Sequence, residues 1–193
     1  MTSNVDITEY SYSRDPKNKV IAYQTFVAQL KTMDDIRSNK EYGKLALAIL
    51  NIMSYCKSYN FPTIILSGLV DDDNSQQLIK SSLDLLIAYQ LIGSHTKRGG
   101  LVLNIHTLTQ ENILTMLQRQ GMYKKVLVKT INLFITALTD TQYLCEEGVI
   151  LEDICSHVES VVCYGQWADL DRECKELEHS LLEFIFFYSE FEY

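Results

Sequence analysis

Apolar positions recur along most of the chain at three- and four-residue steps, the spacing of amphipathic helices. Lys19–Thr32 carries Val20, Ile21, Phe26, Val27 and Leu30 near that spacing, and Asp34–Tyr42 follows as a charged connection or a further helical turn. Lys44–Tyr59 is a firmer helix, with Leu45, Leu47, Ala48, Ile49, Ile52 and Met53 as a broad apolar face. Asn60-Phe61-Pro62 ends it, because the residue before a proline avoids the helical region. Thr63–Val70 is a short apolar run that reads either as a strand leading into a helical turn or as a short helix. Asp71-Asp72-Asp73-Asn74 then places capping side chains and negative charge before a helix over Ser75–Gln90, whose inward stripe is Ile79, Leu83 and Leu86. Further helices are predicted over Thr109–Gln120 (ending at Gly121), Lys124–Leu138, Val149–Val162 and Ala168–Tyr188. On Lys124–Leu138 the inward positions are Val128, Ile131, Phe134, Ile135 and Leu138.

One segment breaks the helical rhythm. "LIGSHTKRGGLVLNI", from Leu91 to Ile105, has two short apolar arms around a basic bend. Gly99-Gly100 offers the positive φ that a tight hairpin turn needs. The order of helix, short apolar segment, capped helix, hairpin and helix over about residues 44–106 resembles the winged-helix domain, a helix-turn-helix whose third helix runs into a β-hairpin wing. The resemblance lies in spacing: Ile79, Leu83 and Leu86, then Gln90-Leu91-Ile92, a polar basic tip, and Gly100-Leu101-Val102-Leu103. The expected fold is mainly α, with a winged-helix-like middle containing a small β-hairpin, followed by an acidic helical C-terminal part. Residues 1–16 form a flexible arm and 17–121 the winged-helix-like domain. Residues 122–193 pack on that domain or form a second small helical one.

Charge changes the picture more than composition does. The 193 residues are 47% hydrophobic and 22% charged, enough apolar material for a sizeable core. The net charge of −8 is uneven. Residues 1–60 hold 8 Lys/Arg against 6 Asp/Glu, residues 61–129 hold 7 against 5, and residues 130–193 hold 2 against 14. The first two thirds are mildly basic and the last third strongly acidic, which favours head-to-tail association or masking of the basic part by the acidic part.

The winged-helix resemblance implies DNA contacts. On the third helix Gln76, Gln77, Lys80 and Ser81 would meet base edges and phosphates, and Lys97 and Arg98 would sit at the wing tip. Lys124 and Lys125 would add phosphate contacts if they fold onto the same side. Against this, the recognition helix carries one Lys and no Arg, and Asp71, Asp72 and Asp73 stand at the end that approaches DNA. Strong salt-dependent binding takes roughly 6–10 phosphate contacts, and helix and wing offer about three. Leu78, Leu85 and Ile87 lie outside the core stripe of the same helix, so it packs on more than one side, against a protein partner or the rest of this chain.

The tail "LLEFIFFYSEFEY" is crowded with aromatics, among them Phe184, Phe186, Phe187, Tyr188, Phe191 and Tyr193. Such a surface either folds back onto the core or forms a docking site, since aromatic anchors dominate interface energetics. The partner-binding candidates are therefore Leu78, Leu85, Phe187, Tyr188, Phe191 and Tyr193.

Signs of catalysis are lacking. The chain contains no P-loop, GxGxxG, GxSxG, HExxH or kinase signature, and His95, His106, His157 and His179 have no metal-binding spacing. Each of the four histidines reads as solvated or as satisfied in a core, and Cys155 and Cys163 as small packed hydrophobes. Five cysteines without paired spacing fit a reducing compartment. The start has no apolar leader-like segment, and no uncharged run approaches the ~18 residues that span a membrane. The expectation is a non-enzymatic regulatory or scaffold subunit, intracellular, without cofactor or metal, acting through protein partners and homo-oligomerisation. The alternatives are a winged-helix DNA-binding regulator and an all-helical adaptor without a wing.

Overall fold

The computed structural model describes residues 16–70, 74–97, 100–139 and 151–191. Their order is α1 (Pro16–Ser38), α2 (Gly43–Met53), β1 (Phe61–Pro62), a 3₁₀ helix (Thr63–Leu69), α3 (Ser75–Ala88), β2 (Ile92–Lys97) and β3 (Gly100–Ile105). Then come α4 (Thr107–Arg119), α5 (Tyr123–Thr139), α6 (Leu151–Trp167) and α7 (Asp171–Phe191). The protein is mainly helical, with one small antiparallel sheet of order β1-β3-β2 among the described strands. Of the arm expected over 1–16, Pro16 belongs to α1 and residues 1–15 lie outside the described residues, as do Asp71–Asp73, Arg98, Gly99 and Tyr193.

Local sequence accounts for several of the helix ends. Pro16 opens α1, where its missing N–H is no loss. Gly121, at φ +66, stops α4: Gly121 N–H donates to Gln118 O and Met122 N–H to Leu117 O, the paired bonds that satisfy a helix's last carbonyls. The same pair of bonds stops α3 at Gln90 (φ 57) and α6 at Asp169 (φ 55), where no glycine stands. α6 consequently runs on to Trp167, beyond the stop expected at Val162.

α2 is shorter than its apolar pattern predicts, stopping at Met53 rather than Tyr59. Gln110, reaching in from α4, donates to Met53 O and Cys56 O at 2.9 and 2.8 Å. Tyr55 turns inward and donates to Tyr123 O at 2.9 Å. Asn60 then takes a left-handed turn (φ 56), which asparagine tolerates, and delivers the chain into β1.

The core is continuous from Met33 on α1 to Phe184 on α7. α5 lies at its centre, against the 3₁₀ helix, α2, α6 and α7. Its most buried apolar positions are Leu127, Ile131, Phe134 and Leu138; Val128 and Ile135, expected inward, are only half-buried. Gly165 lets α6 approach α7 closely, since a Cβ there would lie 2.3 Å from Cys174 Sγ. The acidic last third thus packs onto the basic middle and shares its core. Cys155 is half-buried and Cys163 is exposed, so neither is the packed core residue expected.

Candidate interaction site

Three regions gather the residues singled out above: the hairpin where it meets α6, the outer face of α3, and the outer face of the C-terminal helices.

The hairpin register pairs Gly93 with Asn104, His95 with Val102 and Lys97 with Gly100. Side chains of cross-strand partners share a face, and successive residues alternate. Lys97, His95 and Asn104 therefore project to one side, where α6 begins. On α6, Asp153 and His157 are four residues apart and so lie on one face. Asp153 also sits in the helix's first turn, where the dipole favours a carboxylate. Lys97 Nζ donates to both carboxylate oxygens of Asp153, at 2.9 and 2.7 Å. Asn60 Nδ2 donates to Oδ1 of the same carboxylate at 3.3 Å. The pair is largely buried, with side chains 32% (Lys97) and 8% (Asp153) exposed. Asn104 Oδ1 accepts from Asn60 N–H at 2.9 Å, and Asn104 Nδ2 lies 3.3 Å from His95 Nδ1. These groups form a polar clasp between the hairpin and the acidic third.

His157 completes the clasp from below. It is buried, its Nε2 lies 3.1 Å from Asn60 O, and its ring meets Phe61 edge-on at 5.4 Å. A carbonyl partner requires that Nε2 carry the proton. Nδ1 is buried without a hydrogen-bond partner among the described residues. Burial holds the imidazole's pKa below the ordinary 6.5, aided by Lys57 and opposed by the Asn60 hydrogen bond and the Asp153 charge. A histidine depressed in the folded state binds its proton more readily when unfolded, so stability falls with pH below about 6.5. Thermal melts should show this loss on acidification, and His157→Gln should flatten that part of the profile. An unchanged slope in His157→Gln would assign the acid sensitivity elsewhere.

On α3, Gln76, Gln77 and Lys80 are exposed and Ser81 is half-buried, with Gln77 Nε2 3.4 Å from Ser81 Oγ. Lys80 is the single cation on that helix. Lys124 and Lys125 are exposed on the first turn of α5, and Lys124 reaches Asp169 at 3.9 Å. Asp169 follows the end of α6, whereas Lys97 is held at its start. α6 has 17 residues, so the two lysine sites stand roughly 25 Å apart at 1.5 Å per residue. They do not merge into one basic patch. Leu78, Leu85 and Ile87 are half-buried, and Leu85 and Ile87 pack against the chain's own core. The second apolar side of α3 is thus covered largely from within.

The aromatic tail divides. Phe184 is fully buried, and Tyr188 packs against it with ring centroids 5.7 Å apart. Phe187 is half-buried, and the side chains of Phe191 and Tyr193 lie outside the described residues. The most exposed large apolar residues among those described are Trp167 (77%), Phe186 (69%) and Leu182 (64%), none of them among the expected partner-binding residues. Leu182 and Phe186 stand one turn apart on the outer face of α7. Trp167 belongs to a different place, stacked edge-on with Tyr164, which in turn meets Tyr55. The helical period, set against the inward positions Cys174, Leu177 and Phe184, could have marked Leu182 and Phe186 as outward.

No cluster of metal-ligating side chains occurs among the described residues. Burial raises the thiol pKa values of Cys56, Cys155 and Cys174, with nearby carboxylates adding to the effect at Cys155 and Cys174. No described helix is long and apolar enough to cross a membrane. Comparison with protein-family models, curated proteins and solved structures finds no match for this chain.

Proposed function

We propose that this protein is a non-enzymatic scaffold or regulatory subunit that works inside the cell through protein–protein contacts, including contacts with further copies of itself. The observation that carries this reading is the pair Leu182 and Phe186. Two large apolar side chains one turn apart on the solvent side of α7 are what a helix presents to another protein surface. The paired state of Lys97 supports it from the other direction: the hairpin lysine is occupied by Asp153 and is not free to neutralise a phosphate.

Light scattering coupled to size exclusion, at ~0.1 and ~0.5 M salt to bracket physiological screening, tests the reading. The wild-type protein should run as an oligomer at both salts, and Leu182→Asp with Phe186→Asp should run at lower mass with an unchanged far-ultraviolet spectrum. Because both residues are exposed, the double variant should lose little stability. An assembly indifferent to this double substitution removes α7 as the docking surface.

The alternative is a winged-helix DNA-binding regulator. It is favoured by the element order over residues 43–105 (helix, strand, short helix, helix, hairpin) and by the sheet order β1-β3-β2, which puts the first strand beside the returning arm of the hairpin. Under this reading a mixed duplex pool added at ~0.1 M salt shifts a monomer to higher mass and ~0.5 M salt reverses the shift.

A further inference from the structure

The open edge of the sheet follows from two hydrogen bonds on β3. Ile105 N–H donates to Ser58 O at 2.8 Å, and Leu101 O accepts from Thr63 Oγ1 at 3.0 Å. Residues 101, 103 and 105 therefore direct their backbone groups toward β1. In an antiparallel ladder the intervening residues direct theirs the other way. Gly100, Val102 and Asn104 thus bond across to Lys97, His95 and Gly93. It follows that Ile92, Ser94 and Thr96 point their N–H and C=O groups outward, along an edge of β2 that no described strand covers. Gly93, Ser94, His95 and Thr96 are all exposed. Folded proteins usually guard such an edge with charge, proline or a covering element. Here no charged residue and no proline lies between Ile92 and Thr96, and the next cation, Lys97, is neutralised by Asp153.

We infer that β2 is a strand-pairing edge whose occupant is β2 of a second copy, joined antiparallel about a two-fold axis at Ser94. This inference rests on the self-association proposed above and names a surface for it other than α7. Three features of the strand fit a second copy. The outward groups are symmetric about Ser94, so Ser94 faces its own counterpart and Ile92 faces Thr96 of the second copy, and each exchanges backbone hydrogen bonds. His95 falls opposite the second copy's Gly93, where nothing stands: a Cβ on Gly93 would meet no atom within 4 Å. The uncharged edges let two molecules of net charge −8 approach without like charges meeting at the seam. The two sheets become one continuous sheet of six described strands.

Ser94→Pro is the sharpest probe. The Ser94 N–H points outward, so proline leaves the β2–β3 ladder intact, and proline is tolerated at such edge positions. It removes the central donor of the seam. Ser94→Lys is the companion variant: it keeps the N–H and sets two like charges face to face across the axis. The full-length proteins are compared by light scattering over a range of concentrations, and amide hydrogen exchange is followed at residues 94 and 96. The expected result is a wild-type assembly, built on this edge as well as on α7, whose Ser94 and Thr96 amides become protected as concentration rises, and a lower mass for both Ser94 variants with unchanged circular dichroism. A wild-type protein monomeric at every concentration overturns both this inference and the self-association on which it rests. An oligomer that survives both Ser94 variants but dissociates on Leu182→Asp with Phe186→Asp overturns the edge and leaves the α7 surface standing.

Discussion

Phe61→Ala should destabilise the protein by about 3–5 kcal/mol, the range for truncating a buried aromatic side chain. Phe61 is fully buried in the two-residue strand β1. Its ring meets Phe134 of α5 edge-on at 6.3 Å and His157 of α6 at 5.4 Å. It therefore joins the sheet to two helices of the C-terminal third, and the cavity left by alanine would open at that junction. For a domain of this size the loss corresponds to a fall in melting temperature of roughly 6–20 °C. Phe61→Leu should cost clearly less, because it keeps most of the volume and loses mainly the two ring contacts. Melting curves for the three proteins decide the matter. A Phe61→Ala protein within a degree of wild type would mean that the C-terminal third does not depend on β1.

The clasp gives the second large effect. Lys97→Met should lower stability by about 2–3 kcal/mol, somewhat less than the full cost of breaking a buried ion pair because Lys97 keeps partial contact with water. The cost arises from Asp153, which is left charged and buried with Asn60 as its remaining described hydrogen-bond donor. Changing both partners, Lys97→Met with Asp153→Leu, should recover most of the loss, since a buried pair replaced by apolar groups of similar size is often neutral. Denaturant titration of the two variants and the wild type provides the comparison. A double variant as unstable as Lys97→Met alone would show that the hairpin is held by Asn60, Asn104 and His157 rather than by the ion pair.

Both predictions concern contacts between segments far apart in the chain, and this decides what the sequence could reveal. The helices α3 to α7 were legible because their apolar stripes repeat at the helical period, and the hairpin was legible from its two apolar arms. Helix ends were legible only where a local signal marked them, as at Gly121. Gln90 and Asp169 stop helices through the same backbone bonds without a glycine to mark them. α2 ends at Met53, where Gln110, more than fifty residues away, donates to the carbonyl of Met53 and to that of Cys56 just beyond it.

The candidate residues divide along the same line. Exposure of Gln77 follows from its place opposite the Ile79–Leu83–Leu86 stripe, whereas Lys80 stands beside the stripe and Gln76 on its side at the first turn, so their exposure is decided by what packs there. Lys97 reads as an exposed cation at a hairpin tip, and nothing near it in the sequence indicates Asp153. By itself the sequence determined the helical class, the hairpin and the division into a basic body and an acidic end, because each depends on neighbours within a few residues or on summed composition. The tertiary structure alone decided that the acidic end folds onto the basic body, that Asp153 occupies Lys97, and that Leu182, Phe186 and the edge of β2 are left facing water. The physical reason is that charge pairing and burial depend on which surfaces meet once the core closes, and no local pattern encodes that meeting.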